Sequence, residues 1–227
     1  PIFCENSTTI RNKYFTADKE RRECRCLSLG DSFKTKDVPD DVCGKIYHLA
    51  GLIYGDFPDE MIKHFSKKGA VAVDVQGFLR HADKETGEMF FEDWKTKKEM
   101  LPYITYLKTD AAEAEIMTGL KDRREAAKLL YSWGAKEVLI THNTEVIAYD
   151  GKEIYSCPIR ARNLSGRTGR GDTTFAAYIN ERLTSNIKTA LLYATATVSL
   201  KMETPGPFKG TRADIDAYIN EFFSDVK

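Results

Sequence analysis

The residue types most able to do chemistry lie together in Gly166-Arg167-Thr168-Gly169-Arg170-Gly171-Asp172-Thr173-Thr174-Phe175. Gly169 and Gly171 let the backbone turn tightly, with N–H groups directed outward, just before a helix that starts near Asp172. Such a turn is an anion cradle, because unpaired amides and the helix dipole both favour phosphate at a first turn. A carboxylate there, Asp172, would stand beside a transferring phosphoryl group. Taken alone, the segment also fits an Asp N-cap that satisfies first-turn amides, and by itself it favours that simpler role. Two other glycine-rich loops are excluded. A Walker A loop needs Gly-Lys-Ser/Thr after its intervening residues, and no such run is present; a dinucleotide loop would follow the first strand of its unit and carry a third glycine where Thr174 stands. His142 has no Ser or Cys nucleophile motif beside it and reads as a solvent-exposed loop residue.

Alternating strands and helices must position this segment. Lys45 to Leu52 reads as a buried strand, Asp59 to Lys68 as a helix closed by Gly69, and Ala70 to Val75 as a second strand of small and β-branched residues. The pattern continues with a strand over Tyr103 to Lys108, a helix over Ala111 to Met117, a helix over Arg123 to Trp133 closed by Gly134, and a strand over Glu137 to Thr141. This order implies parallel crossovers. Glu145 to Tyr149 and Glu153 to Cys157 flank Asp150-Gly151, a hairpin turn. Helices follow over Thr173 to Leu183, Ile187 to Leu200 and Ala213 to Phe223. Near the start, Thr8 to Thr16 and Arg22 to Leu29 read as strands joined by a turn over Ala17 to Arg21; both are interrupted by charges, which suits an edge flap or lid better than a central pair. The expected organisation is a mainly β flap over residues 1–36 and one α/β domain over residues 37–227, with no internal repeat or low-complexity linker.

Composition narrows the partners. The 227 residues, 42% hydrophobic, suffice for a sizeable core. Thirty-four basic and 34 acidic residues give a formal charge of zero, so no global field draws the chain to nucleic acid or an anionic membrane. Mean hydropathy is -0.43, and no window approaches the roughly 18 apolar residues that a spanning helix needs. The odd set Cys4, Cys24, Cys26, Cys43 and Cys157 points to a reduced, cytoplasmic compartment rather than a disulfide framework. Cys24 and Cys26 share a strand face, but no second Cys or His pair completes a zinc spacing. No secretory signal follows Pro1, and there is no initiator Met.

Thr168-Gly169-Arg170-Gly171-Asp172, followed by a small-polar, aromatic-rich helix, resembles the signature D-T-x-G-A-G-D of ribokinase-like (PfkB-type) sugar kinases. Upstream, Asp110-Ala111-Ala112-Glu113-Ala114-Glu115-Ile116-Met117-Thr118-Gly119 resembles the family's N-x-x-E-x-E-x-L-T-G element. Ala135 to Thr141 is similar to the strand that leads into its nucleotide loop, and Asp74 to Arg80 to its segment facing the sugar. The whole chain follows the order of the family's C-terminal three quarters.

The resemblance implies a ribokinase-like, doubly wound, mostly parallel sheet flanked by helices, with a small β lid. It implies ATP-dependent phosphorylation of a hydroxyl on a small sugar, polyol or nucleoside. Asp172 would be the base, and the amides of Gly169, Arg170 and Gly171 would hold the developing charge, a sensible division for a loose transition state served by positioning and electrostatics. Asp110 and Glu113 would orient Mg²⁺ through its waters. Thr141, Asn143, Thr168 and Gly206 would contact the nucleotide, and Gln76, Arg80 and Arg167 the acceptor. In some members the final loop, here Glu203-Thr204-Pro205-Gly206-Pro207, also holds a monovalent cation.

Departures from the family pattern carry their own expectations. Asp110 replaces the usual Asn and adds a negative charge, and His142-Asn143-Thr144-Glu145 stands where relatives are Gly-rich. Arg167 and Arg170 bracket the cradle where relatives carry small or neutral residues; they suit either an anionic acceptor or the donor's phosphates, with solvated arginines as the plain alternative. The family's first strand and its sugar-gripping Gly-Gly and Asn elements are not found, so the acceptor stays unnamed. A non-catalytic nucleotide-binding relative is therefore the competing reading. For residues 1–227 by themselves the expectation is weak nucleotide affinity without phosphorylation, activity in a longer chain, and an unpaired edge at Ala70 to Val75 or a neighbouring strand. The flap's open edges suit a homodimer, or a mobile lid on a monomer.

Overall fold

The computed structural model describes residues 3–15 and 22–226. The expected turn over Ala17 to Arg21 lies outside the described residues. Strands β1 (Thr9–Tyr14) and β2 (Arg22–Ser28) pair antiparallel as the flap, with a bulge between Thr9 and Ile10. After β3 (Ile46–Leu49) come α1 (Asp59–Ser66) and β4 (Ala70–Asp74). A short helix α2 (Gln76–Leu79), a small hairpin of β5 (Arg80–Ala82) and β6 (Met89–Phe91), and helix α3 (Lys97–Met100) follow. These four short elements are absent from the sequence expectation, since three or four residues of mixed polarity establish no period. The strand expected from Tyr103 begins only at β7 (Tyr106–Asp110), because Leu101–Tyr103, with Pro102, forms a 3₁₀ turn. Helices α4 (Ala111–Thr118) and α5 (Arg123–Ser132), strands β8 (Glu137–Thr141), β9 (Glu145–Tyr149) and β10 (Ile154–Pro158), and helices α6 (Arg170–Glu181), α7 (Ile187–Met202) and α8 (Arg212–Phe222) complete the chain.

The main sheet runs β10-β9-β8-β7-β4-β3, parallel from β3 to β8 and antiparallel through β9 and β10. Its alternating residues feed two cores. Val71, Val73, Val138 and Ile140 face α1, α4 and α5 together with Phe65, Ala114 and Leu130, whereas Ala72, Leu139, Val146 and Ala148 pack with Phe175, Ala194 and Tyr218 of α6, α7 and α8. This is the α/β, mostly parallel architecture expected from the sequence. Ala70 to Val75 is not an edge: β4 pairs on both sides, and the neighbouring β3 is the outer strand of the described sheet. Among the described residues no helix is long and apolar enough to cross a membrane.

Two contacts fix the surroundings of the site. Gly51 and Gly77 lie back to back, so that a β-carbon on Gly77 would stand 2.7 Å from the Gly51 Cα; this approach sets the loop after β3 against α2. The flap leans on the small hairpin through Cys26 N–H to Gly87 O at 2.9 Å and a bridge between Arg25 and Glu88.

Candidate active site

The C-terminal ends of β4, β7 and β8 and the start of α6 enclose a cleft of about 640 Å³, the position where open α/β sheets bind ligands. Ile10 and Asn12 of the flap contribute to its wall, which gives the hairpin the lid position expected of it. Of the residues singled out from the sequence, Gln76, Arg80, Asp110, Thr141, Asn143, Arg167, Thr168, Gly169, Arg170, Gly171 and Asp172 all line this one cleft. Glu113 and Gly206 do not.

The cradle is built by backbone conformation. Gly169 is the N-cap of α6 with φ 82, a left-handed geometry that side chains disfavour, and it has no side-chain cap bond. Asp172, the third residue of the helix, is exposed toward the cleft. It is therefore not the helix cap. The N–H groups of Gly169, Gly171 and Asp172 have no acceptor among the described residues, whereas Arg170 N–H donates to Arg167 O at 3.2 Å. The open amides are thus those of Gly169 and Gly171, joined by Asp172, and the amide of Arg170 is spent on the turn.

Gly166 sets the loop's height. A β-carbon there would stand 1.9 Å from Thr204 O, and its N–H donates to Met202 O at 2.6 Å. Gly166→Ala is expected to lift the loop off α7, costing about 1–3 kcal/mol in urea denaturation. Native stability in that variant would show that the close approach is relaxed in solution.

Beneath the cradle lies a charge cluster that the sequence reading missed. Lys108 Nζ sits 3.0 and 2.9 Å from the two Asp74 carboxylate oxygens and 3.8 Å from Glu113 Oε2, all three residues being 2–3% exposed. Burial alone would lower the Lys108 pKa, but the facing carboxylates of Asp74 and Glu113 more than reverse this and keep it charged. Glu113 is pushed up to about 7 by burial, against the pull of Lys108. A β-carbon on Gly171 would stand 3.0 Å from Lys108 Nζ, which puts the ammonium directly under the Gly169–Gly171 turn.

Asp110 and Glu113 form a reciprocal capping box at α4: Asp110 Oδ1 accepts from Glu113 N–H at 2.8 Å, and Glu113 Oε2 from Asp110 N–H at 2.7 Å. Glu113 thereby fixes Asp110 and faces Lys108 rather than the cleft. The second Asp110 oxygen has no hydrogen-bond partner among the described residues, and no cluster of three or more His, Cys, Asp or Glu suited to a metal occurs among them. One open carboxylate fits an ion that keeps most of its water, and Asp110 is the residue that would hold Mg²⁺.

Arg80 donates to Gln76 Oε1 and, at 3.4 Å, to Leu52 O, so the two expected acceptor contacts form one wall. Thr141 is buried, its hydroxyl 3.4 Å from Thr109 O. His142 Nδ1 lies 2.9 Å from Thr144 Oγ1 in the loop that carries Asn143. His48 on β3 meets Phe175 edge-on; burial lowers its pKa, while Asp74 and Asp172 oppose that shift. Gly206 lies in a loop outside the cleft, where Glu203 binds Arg162 and Tyr218 and Thr204 backs onto Gly166.

The description "pfkB family carbohydrate kinase" matches residues 9–212. A pyrophosphate-dependent kinase in the ribokinase family, solved as a sulfate complex, is 35% identical, with a TM-score of 0.85 over 94% of this chain and 75% of its own. A pyrophosphate-dependent kinase in the same family, complexed with a pyrophosphate analog and myo-inositol, gives 34% and 0.84 over 94% and 74%. Arabidopsis thaliana ribokinase, complexed with ribose and ATP, is 18% identical with a TM-score of 0.67 over 88% and 65%, a likeness of fold alone. A cytidine kinase of Thermococcus kodakarensis is 26% identical over 161 residues, 67% of this chain and 54% of its own. The chain thus spans about half the length of that curated relative.

Proposed function

The chain belongs to the pfkB family of carbohydrate kinases, and on that premise we propose that it transfers a phosphoryl group to a hydroxyl of a small polyol, sugar or nucleoside. The single observation that carries this reading is the exposed Asp172 carboxylate on the first turn of α6, beside the open amides of Gly169 and Gly171. In that arrangement Asp172 takes the proton from the acceptor hydroxyl, and the amides meet the charge that develops on the transferred group. These dipoles need no reorganisation, because the Gly169 turn and the helix fix them before the substrate arrives. Gln76 and Arg80 orient the acceptor, and Ile10 and Asn12 of the flap limit water. Mg²⁺ held at Asp110 would neutralise donor phosphate charge.

The resemblance by itself implies ATP as donor, yet the cleft favours pyrophosphate. Arg167 and Arg170 stand in its wall next to the cradle, and no residue of the 203–210 segment reaches it to cover a nucleoside. The structures 34–35% identical to this chain are of pyrophosphate-dependent kinases. Steady-state kinetics with each donor tests this, on the chain together with any upstream residues its gene encodes. The expected result is a higher kcat/KM for pyrophosphate than for ATP. Arg167→Ala and Arg170→Ala should each raise the pyrophosphate KM about tenfold, the worth of one charged hydrogen bond. Preference for ATP with unchanged KM in both variants would overturn the donor assignment. The cysteines among the described residues are all free, in keeping with a cytoplasmic site of action, and pairing of two flaps through the outer edge of β1 would make a homodimer.

A further inference from the structure

Lys201 lies in the last turn of α7, 2% exposed, where an ammonium is costly unless it is well coordinated. Its Nζ donates to the carbonyl oxygens of Gly166 and Thr168, both in the loop that ends in the cradle. In a trans peptide the C=O and the following N–H point in opposite directions, and no peptide bond among the described residues is cis. Drawing these two oxygens toward α7 therefore turns the N–H groups of Arg167 and Gly169 the other way, toward the cleft that both residues line. Gly169 sits so close that a β-carbon on it would be 3.7 Å from Lys201 Nζ and 3.9 Å from Asp172 Oδ2. Ser165 Oγ, donating to Glu203 O at 2.6 Å, and Gly166 N–H, donating to Met202 O, clamp the same loop to the same helix end.

Two converging carbonyls around one compact positive charge make part of the oxygen shell that a bound monovalent metal ion would require. The geometry points to Lys201 as a built-in cation: its ammonium orders the anion cradle from behind, so that the cradle forms without any added monovalent cation. Lys201 is thus a positioning residue that does not touch the substrate. The tether makes the charge intramolecular, so ordering does not depend on the salt of the medium. This inference rests on the phosphate-binding reading of the cradle, but it concerns how the cradle is set rather than what it transfers.

The test is calorimetric titration of pyrophosphate at constant ionic strength, in chloride salts of potassium, sodium or tetramethylammonium. The native protein should bind equally in all three. Lys201→Ala should bind at least about tenfold more weakly in tetramethylammonium, the worth of a charged hydrogen bond, and should regain affinity when potassium or methylammonium enters the space left by the side chain. Lys201→Met, which fills that space without charge, should lose affinity and not be rescued. Potassium-dependent binding by the native protein overturns the inference and needs no variant to be folded. Native affinity in Lys201→Met, or a loss in Lys201→Ala that no cation restores, also overturns it. Cation-independent binding without phosphoryl transfer refutes the kinase reading alone.

Discussion

Asp172→Asn is expected to lower turnover by about 10²–10⁴-fold, the usual worth of a positioned base, while leaving pyrophosphate affinity nearly unchanged. The amide keeps the shape of the carboxylate but cannot accept a proton from the acceptor hydroxyl. The helix should not suffer, because Gly169 rather than Asp172 occupies the cap and the Asp172 side chain is exposed toward the cleft. The native and variant proteins should therefore unfold at the same denaturant concentration and differ in kcat. Equal turnover in the two would remove Asp172 from the chemistry.

Lys108→Met should destabilise the fold by about 3–5 kcal/mol, as expected when one partner of a buried ion pair is removed. The variant leaves the Asp74 and Glu113 carboxylates 2–3% exposed with no cation beside them. Without the pull of Lys108 the Glu113 carboxyl, already raised by burial, moves further up, so the variant retains stability at acidic pH, where Glu113 is protonated, and loses it as the pH climbs through the raised value. Urea denaturation across that range reads the effect. Combining Lys108→Met with Asp74→Asn should cost less than the sum of the two single changes. A loss under about 1 kcal/mol, the worth of an exposed pair, would mean that water reaches the cluster.

Where the backbone dictates residue type, the sequence was legible. The left-handed turn at Gly169 favours glycine and the close approach at Gly166 leaves room for nothing larger, and the runs Ala70 to Asp74 and Glu137 to Thr141 carry the residues of buried strands. The sequence reading therefore singled out Gly169, Gly171, Asp172, Gln76, Asp110 and Thr141, and the fold brings all six to one cleft. Lys108 escaped it, because a lysine in a strand looks like a solvated charge until the fold brings Asp74 beside it from the neighbouring strand. Its one signal was a charge directly after Tyr106 and Leu107 in a central strand, two positions before a helix cap. Lys201 was hidden for a similar reason, since a lysine in the last turn of a helix is a routine match to the dipole. The loss of the Arg170 amide to a turn and the removal of Gly206 from the cleft depend on loop geometry, which residue types do not encode. Residues 76–100 fold into short elements held by contacts distant in sequence, such as Trp94 Nε1–H to Asp59 Oδ1 at 3.2 Å, and no local period announces them.

The most direct measurement is a phosphorus-31 NMR time course of the protein, with any upstream residues its gene encodes, given pyrophosphate, Mg²⁺ and a panel of polyols, sugars and nucleosides. One equivalent of phosphomonoester is expected to appear for each orthophosphate released, with one class of acceptor. Orthophosphate alone, or no consumption of pyrophosphate nor, in a parallel sample, of ATP, would contradict the assignment of Asp172 and the Gly169–Gly171 amides to phosphoryl transfer.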